Sequence, residues 1–322
     1  MPSPPDELIS TDVDLALERL RSGGLVAVPT ETVYGLAADA EHTGAVARIY
    51  EVKGRPTDHP LIVHVAGLDA LDGWVAEVSD DARTLGATCW PGPLTMLLAR
   101  GERATDAVTA GRSTIGMRSP AHPLTRELLR RFGGGLAAPS ANRFGKVSPT
   151  TAQHVLDDIG DVLVPGRDLV LDGGPCSVGV ESTIVDLTVS PPQVLRAGAI
   201  TPDDITRLLD TPLADPSGPS RTSGMLDAHY EPDCRVVIAD DHAAAERRLV
   251  EAIGRGERAA VLDRTDDIVV AAQRLYDDLR RADQDGLDTL VVVAPAPAGL
   301  GLAIRDRLSK AAAGSARRDP RG

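Results

Sequence analysis

The chain has 322 residues, of which 42% are hydrophobic, 25% charged and 2% aromatic, and its formal net charge is −13. Length and composition predict a globular protein of about two domains and exclude a largely disordered chain. The negative charge and the shortage of aromatic rings argue against a general nucleic-acid binder, because such proteins need basic surfaces and stacking platforms.

Helices and strands interleave through the first 205 residues. Residues 11–21 place apolar side chains at helical spacing behind a Ser/Thr/Asp cap. A strand (LVAVPT), a second helix (GAVARIYEVK) and a second strand (LIVHVA) follow. Short segments rich in β-branched residues, or running from a strand into a loop, predict further strands at STIGMRSP, GLAAPSAN, VLVPG, DLVLDGG, STIVDLT and QVLRAG. The expected fold class is α+β, with a sheet of mixed direction.

The composition changes after residue 209. Residues 210–233 are rich in Pro, Gly, Ser and Asp and have no sustained apolar period, which predicts an interdomain linker. From residue 235 onward the pattern reads βαβαβα, which is typical of a small parallel sheet covered by helices. We therefore expect an N-terminal domain over 1–209, a linker over 210–233 and a C-terminal α/β domain over 234–322.

Neither a membrane segment nor a zinc site is predicted. No apolar run approaches the roughly 18 residues that cross a bilayer, and the segment MPSPPDELIS has neither a basic region nor an apolar stretch. Cys89, Cys176 and Cys234 are far apart, with no His at zinc-ligand spacing, so buried thiols in a reducing compartment are expected. We expect a cytoplasmic protein.

Two candidate ligand segments follow the first strand and the second helix. PTETVYGL interrupts an apolar run with hydroxyls and a Glu at a strand end, where α/β sheets bind ligands, although a helix-capping turn looks the same. Lys53 and Arg55 precede two prolines, so they project from a rigid loop and suit phosphate, or they answer the helix dipole. His64, on the next strand, is a candidate ligand group or a core histidine.

Later loops and strand ends supply further polar candidates. The residues concerned are Arg118, Ser140, Asn142, Ser148, Ser182 and Arg196. The hydroxyls and the amide could hold phosphate or carboxylate oxygens or form ordinary turns, and the arginines could form surface salt bridges. No Walker loop, dinucleotide fingerprint, zincin helix or Ser-His-Asp order is visible. Such a site would hold reactants together and stabilise phosphate charge.

Seven segments in order resemble the threonylcarbamoyl-adenylate synthase family: PTETVYGL, KGRPTDHPLIVHV, WPGPLTMLL, GMRSPAHP, APSANRFGKVSPT, DGGPCSVGVESTIVD and LRAGAI. The HY of GMLDAHYEP and the ending GLGLAIRDRLSKA resemble the longer, two-domain form. The resemblance implies a twisted mixed sheet with helices forming a basic concave site, plus a small Rossmann-like C-terminal domain.

The resemblance also implies an activity. The enzyme would be an L-threonylcarbamoyladenylate synthase, a nucleotidyltransferase that forms threonylcarbamoyl-AMP and pyrophosphate from L-threonine, bicarbonate and ATP. Mg²⁺ would arrive with ATP, without a metal site of the protein's own. The product would serve a downstream complex that makes N6-threonylcarbamoyladenosine in tRNA, and neither a membrane nor strong direct nucleic-acid binding is expected.

The family's site residues are carried over by motif. Those for L-threonine are Thr32, His64, Arg118 and Ser182. Those for ATP are Lys53, Arg55, Ser140, Asn142, Ser148, Arg196 and Tyr230. The catalytic group is Lys53, Arg55, Ser140 and Asn142. Tyr230, with His229, would come from the linker as a lid. The segment SGMLD lacks the proline and basic residue usual in the family, so the resemblance implies closure that is weaker or differently timed.

Two other functions stay open from the residues alone. One is a non-catalytic module that binds double-stranded RNA by shape. The other keeps the adenylation chemistry but uses another amine, or carbamoyl phosphate.

Overall fold

The computed structural model describes residues 8–217 and 230–316, which fall into two compact units. The first unit takes the chain up to Phe144, then Pro149–Ser177 and the residues from Glu181 to 217. The second unit takes Gly145–Ser148, Val178–Val180 and the residues from Tyr230 onward. No helix within these described ranges is long and apolar enough to cross a membrane.

The first unit is built on one mixed sheet. Its strands are β1 (Ile9–Ser10), β2 (Val26–Val28), β3 (Gly35–Asp39), β4 (Ile62–His64), β5 (Leu94–Ala99), β6 (Thr114–Arg118), β7 (Leu136–Ala137), β8 (Leu169–Leu171), β9 (Thr183–Asp186) and β10 (Gln193–Arg196). Their order is β1-β8-β2-β3-β7-β4-β6-β5-β9-β10. The pair β4 and β6 is parallel, whereas β5 and β6 are antiparallel. The sheet therefore mixes both directions, as expected for an α+β protein.

Seven helices of the described chain belong to this unit: α1 (Val13–Arg21), α2 (Thr43–Lys53), α3 (Asp80–Cys89), α4 (Asp106–Thr109), α5 (Pro123–Phe132), α6 (Ala152–Ile159) and α7 (Pro202–Leu209). Local sequence explains their ends. The Asp12 side chain caps α1 by accepting the N–H of Asp14 at 2.8 Å. Thr201 and Asp204 form a reciprocal capping box at the start of α7.

Apolar side chains pack on both faces of the sheet. In β2, Ala27 joins one buried cluster, whereas Val26 and Val28 join another, because neighbouring residues of a strand point to opposite faces. The larger cluster also contains Val63 of β4 and Met117 of β6. The residues next to these two in sequence therefore face the opposite side of the sheet.

The second unit contains a parallel sheet in the order β11-β13-β12. Its elements are β11 (Arg235–Ala239), α8 (His242–Gly254), β12 (Ala259–Leu262), α9 (Ile268–Gln284), β13 (Thr289–Val293) and α10 (Leu300–Ala316). The predicted βαβαβα order is confirmed. The α+β class with a small C-terminal Rossmann-like unit is confirmed as well.

One predicted strand is wrong. Residues 162–166, VLVPG, form turns instead of a strand. The Asp168 carboxylate accepts the N–H of Val164 at 2.9 Å, which fixes a turn there. Val162 and Val164 are 36% and 47% exposed, so their β-branched side chains have no sheet face to pack on.

Candidate functional site

A row of polar side chains crosses the central strands of the first unit. His64 ends β4 and lies beside Arg118 of β6, and Arg118 lies beside Thr95 of β5. All three are at most 5% exposed. They face away from the large apolar cluster, because their neighbours along the strands point into it. The strand register thus places a cation between an imidazole and a hydroxyl.

Arg118 is held by groups outside the sheet. Its Nη2 lies 2.7 Å from Glu31 Oε1, and its Nε donates to the Gly92 carbonyl at 3.4 Å. Glu31 Oε2 accepts the N–H of Ala121 at 2.9 Å. Both partners are buried, so the predicted alternative of a surface salt bridge is wrong for Arg118. Burial of this pair requires good geometry, since desolvating two charges is costly.

The segment that carries Glu31 is a tight hydroxyl-bonded turn. Thr30 Oγ1 lies 2.8 Å from Thr32 Oγ1 and donates to the Val33 carbonyl at 2.6 Å. Thr32 is fully buried. The turn is therefore a rigid element that presents Glu31 and Thr32 beside each other. The alternative of a helix cap is wrong, because strand β3 and not a helix follows the turn.

Ser182 extends the polar row at the start of β9. Its Oγ lies 2.8 Å from Thr95 Oγ1 and accepts from Arg196 Nη2 at 3.1 Å. Arg196 Nε also donates to the Ser182 carbonyl at 3.0 Å, and the arginine is 6% exposed. The surface salt bridge considered for this arginine is wrong too, since its side chain is buried. Ser182 and Arg196 are thus linked to the strand that flanks Arg118.

Lys53 is the last residue of α2, and a left-handed glycine separates it from Arg55. The expectation that both cations project from a loop is therefore wrong for Lys53, which still belongs to the helix. Gly54 has φ +61°, a conformation that glycine adopts without strain, and it turns the chain out of the helix. Lys53 Nζ donates to the main-chain carbonyls of Ser140 and Asn142 at 2.6 and 2.5 Å. The lysine thereby ties the end of α2 to the loop after β7.

Arg55 lies close to that loop as well. Its Nη2 donates to the Pro60 carbonyl at 3.0 Å, and its guanidinium carbon lies 5.7 Å from the centre of the Phe144 ring. Lys53 and Arg55 are 3% and 6% exposed, so neither simply answers a helix dipole at the surface. Burial lowers the pKa of Lys53 well below its usual range and that of Arg55 to about 10. A bound anion would offset both effects.

His64 is a neutral, fully enclosed imidazole. Burial, reinforced by the charge of Arg118, lowers its pKa to about 3. Its Nδ1 is buried and has no hydrogen-bond partner among the described residues. Buried polar atoms without partners are rare and costly, so this nitrogen is a candidate for a ligand contact. A satisfied core histidine would not leave it without a partner.

Ser148 and Tyr230 belong to the second unit. Ser148 is fully buried, and Tyr230 is 1% exposed. The Tyr230 ring stacks on Tyr276 with centroids 5.5 Å apart, and Arg307 lies 5.8 Å from its centroid. His229 and the segment SGMLD lie outside the described residues. The lid role of Tyr230 stays a prediction.

The predicted residues of the first unit follow adjacent strands in the order β7-β4-β6-β5-β9. Lys53 donates to the loop after β7. His64 lies on β4 and Arg118 on β6, and Ser182 immediately precedes β9. Two further groups, Glu31 and Thr95, belong to this row. The sequence indicated Glu31 only as the carboxylate of the PTETVYGL segment and gave it no role of its own, and Thr95 had no signal outside the strand register.

Buried cations and hydroxyls without a nucleophilic triad are suited to holding anions in place. The fold is that of a two-unit α+β protein, and its buried cations could hold phosphate or carboxylate groups. Two family models match the chain: one described as "Telomere recombination" over residues 18–198, and one described as "Threonylcarbamoyl-AMP synthase, C-terminal domain" over residues 200–313. The chain belongs to the two-domain threonylcarbamoyl-AMP synthase family.

Relatives match along nearly the whole length. The threonylcarbamoyl-AMP synthase of Bacillus subtilis is 38% identical, with 96% of each chain covered. That of Pyrococcus abyssi is 36% identical, with 93% of each covered. Among solved structures, P. abyssi Sua5 complexed with L-threonine matches with a TM-score of 0.87 at 34% identity, covering 94% of each chain. The family resemblance seen in the sequence is confirmed.

Proposed function

We propose that the chain is an L-threonylcarbamoyladenylate synthase, a nucleotidyltransferase acting on L-threonine, bicarbonate and ATP. The threonine amine would add to bicarbonate carbon with loss of water, which gives an N-carboxylate. A carboxylate oxygen would then attack the α-phosphorus of ATP, and pyrophosphate would leave with the electron pair of the broken P–O bond. Threonylcarbamoyl-AMP would remain.

The observation that carries this proposal is the buried row around Arg118. Arg118 offers a fork for a carboxylate. Beside it, the Thr95 hydroxyl and His64 Nδ1, which has no hydrogen-bond partner within residues 8–217 and 230–316, offer short polar contacts for an amino acid. We assign L-threonine to this row and to the turn before it. The contact residues in this assignment are Thr32, His64, Arg118 and Ser182.

We assign ATP to the cations beyond the row. Lys53 and Arg55 would face the phosphates. Burial lowers the pKa of both side chains, and the negative charge of a polyphosphate would favour their protonated forms again. Lys53 fixes the loop that carries Ser140 and Asn142, so these four residues would act together in the transfer step. The further contacts in this assignment are Ser148, Arg196 and Tyr230.

Mg²⁺ would be carried by the ATP phosphates. The described residues contain no group of three or more His, Cys, Asp or Glu side chains that could hold a metal ion. The ion would neutralise phosphate charge, while the chain's own residues bind and orient the reactants. We further propose a cytoplasmic location and delivery of the product to a tRNA-modifying complex.

We propose the domain boundaries expected from composition: a catalytic domain over 1–209, a linker over 210–233 and a C-terminal domain over 234–322. The change between the two matching family models at residues 198–200 supports a boundary in this region. The double-stranded RNA-binding alternative gains no support from the two relatives described above, which are named as threonylcarbamoyl-AMP synthases.

Mass spectrometry of the reaction product tests the proposed function. With L-threonine, ATP and ¹³C-bicarbonate, we expect threonylcarbamoyl-AMP that carries the heavy carbon. L-Serine and glycine in place of threonine serve as matched reactants, and carbamoyl phosphate replaces bicarbonate in a separate mixture. An adenylate without the label, or one formed equally well with glycine, would contradict the assignment.

A further inference from the structure

Glu31 is a buried carboxylate whose two oxygens serve two different elements. Oε1 pairs with Arg118 Nη2 at 2.7 Å, and Oε2 accepts the Ala121 N–H at 2.9 Å. With both oxygens engaged and only 6% of the residue exposed, Glu31 is poorly placed to take a proton from a substrate. Its geometry instead suits a residue that holds other groups in position.

The ion pair between Glu31 and Arg118 holds the arginine guanidinium in one orientation. The bond from Nη2 to Glu31 and the bond from Nε to Gly92 fix two of the three guanidinium nitrogens. Nη1 has no hydrogen bond to any residue of the described chain and is left for a ligand. A guanidinium has five donors in a rigid fork, so fixing one edge sets the direction of the other.

Glu31 also joins two segments that border the proposed amino-acid site. It belongs to the hydroxyl-bonded turn with Thr32, and its Oε2 reaches the segment just after Arg118. A carboxylate is needed for this double role, because both contacts are N–H donors. A glutamine would accept from only one of them and would point its own amide donor at the other.

We propose that Glu31 is a positioning residue for the amino-acid substrate: it orients the Arg118 fork and sets the spacing between Arg118 and the Thr32 turn. The proposal deepens the proposed function and rests on it. Because the Glu31 charge balances that of Arg118, the pair favours a zwitterionic amino acid over a simple anion. The ATP contacts assigned to Lys53 and Arg55, next to the loop after β7, should be little affected.

The Glu31→Gln variant tests this role against a matched control. Asp168 is a second buried carboxylate that forms a pair with Arg48 at 2.7 Å and accepts the Leu25 N–H at 2.9 Å, but it lies outside the polar row. Asp168→Asn therefore reproduces the loss of a buried pair without touching the site. The readout is the initial rate of pyrophosphate release by the full chain, with threonine and ATP varied separately.

We expect Glu31→Gln to raise KM for threonine by about 10- to 100-fold, as misplacement of a binding group by an ångström can do. KM for ATP should stay within about twofold of wild type. Asp168→Asn should raise neither KM for threonine nor KM for ATP by a factor of that size. A wild-type KM for threonine in Glu31→Gln, or an equal rise in Asp168→Asn, would overturn the proposal. Absence of threonine-dependent product from the wild-type chain would overturn the proposed function itself.

A structure of the wild-type chain with bound L-threonine gives a second test that does not depend on a variant folding. We expect Glu31 and Arg118 to remain within hydrogen-bonding distance while the arginine contacts the threonine carboxylate. Release of Glu31 by Arg118 on threonine binding would show that the two carboxylates compete for one cation, and the positioning role would be refuted.

Discussion

His64 should make the first unit sensitive to mild acid. Its pKa is about 3 in the folded chain, against 6.5 in an unfolded one, because burial and Arg118 disfavour the charged ring. The unfolded chain therefore binds more protons between pH 6.5 and pH 3, and stability falls as the pH drops through that window. One pKa unit corresponds to about 1.4 kcal/mol, so the loss from this residue between pH 6.5 and pH 5 is about 2 kcal/mol.

The comparison of wild type with His64→Gln isolates this effect. Both tryptophans, Trp74 and Trp90, are buried in the first unit, so their fluorescence during denaturant unfolding reports on that unit. We expect wild type to lose about 2 kcal/mol more than the variant between pH 7 and pH 5, since glutamine does not titrate. Equal losses in the two proteins would refute the assignment of a neutral, enclosed imidazole.

Three further outcomes are expected. ATP binding should be accompanied by proton uptake at alkaline pH, because burial lowers the pKa of Lys53 and brings that of Arg55 to about 10. Calorimetry in two buffers at pH 9 measures the uptake. A binding reaction without proton uptake would contradict this expectation. Ser182→Ala should raise KM for threonine and also lower the melting temperature, because it removes the buried hydroxyl that Thr95 and Arg196 contact; an unchanged KM would remove Ser182 from the site. Tyr230→Ala should destabilise the second unit by about 3–5 kcal/mol, because it removes a buried aromatic side chain together with its stacking on Tyr276; denaturation followed by circular dichroism would detect the loss.

Much of the fold could be predicted because composition and periodicity agree along the chain. The second unit has β-branched strands such as TLVVV, alternating with amphipathic helices, and its order was predicted in full. Strand β3 was missed, because its sequence GLAAD contains no β-branched residue. The false strand at VLVPG shows the opposite error, since a β-branched run without a partner strand forms turns.

The site could be predicted only at the level of individual loops. Polar residues at strand ends, such as Lys53 and Arg118, indicated anion binding, but their mutual placement depends on strand order that is not local in sequence. Glu31 and Arg118 are 87 residues apart, and so are Thr95 and Ser182. Such pairs follow from register and topology, which pattern reasoning along one sequence does not supply.

Pyrophosphate release by the purified full chain shows whether one buried set of cations and hydroxyls binds ATP, L-threonine and bicarbonate for a common reaction. With ATP, L-threonine and bicarbonate together, we expect steady release of pyrophosphate in step with an adenylate. Leaving out any one reactant should stop the release. Release that continues at the same rate without threonine or without bicarbonate would show that ATP is cleaved independently, and a common site for the three reactants would be refuted.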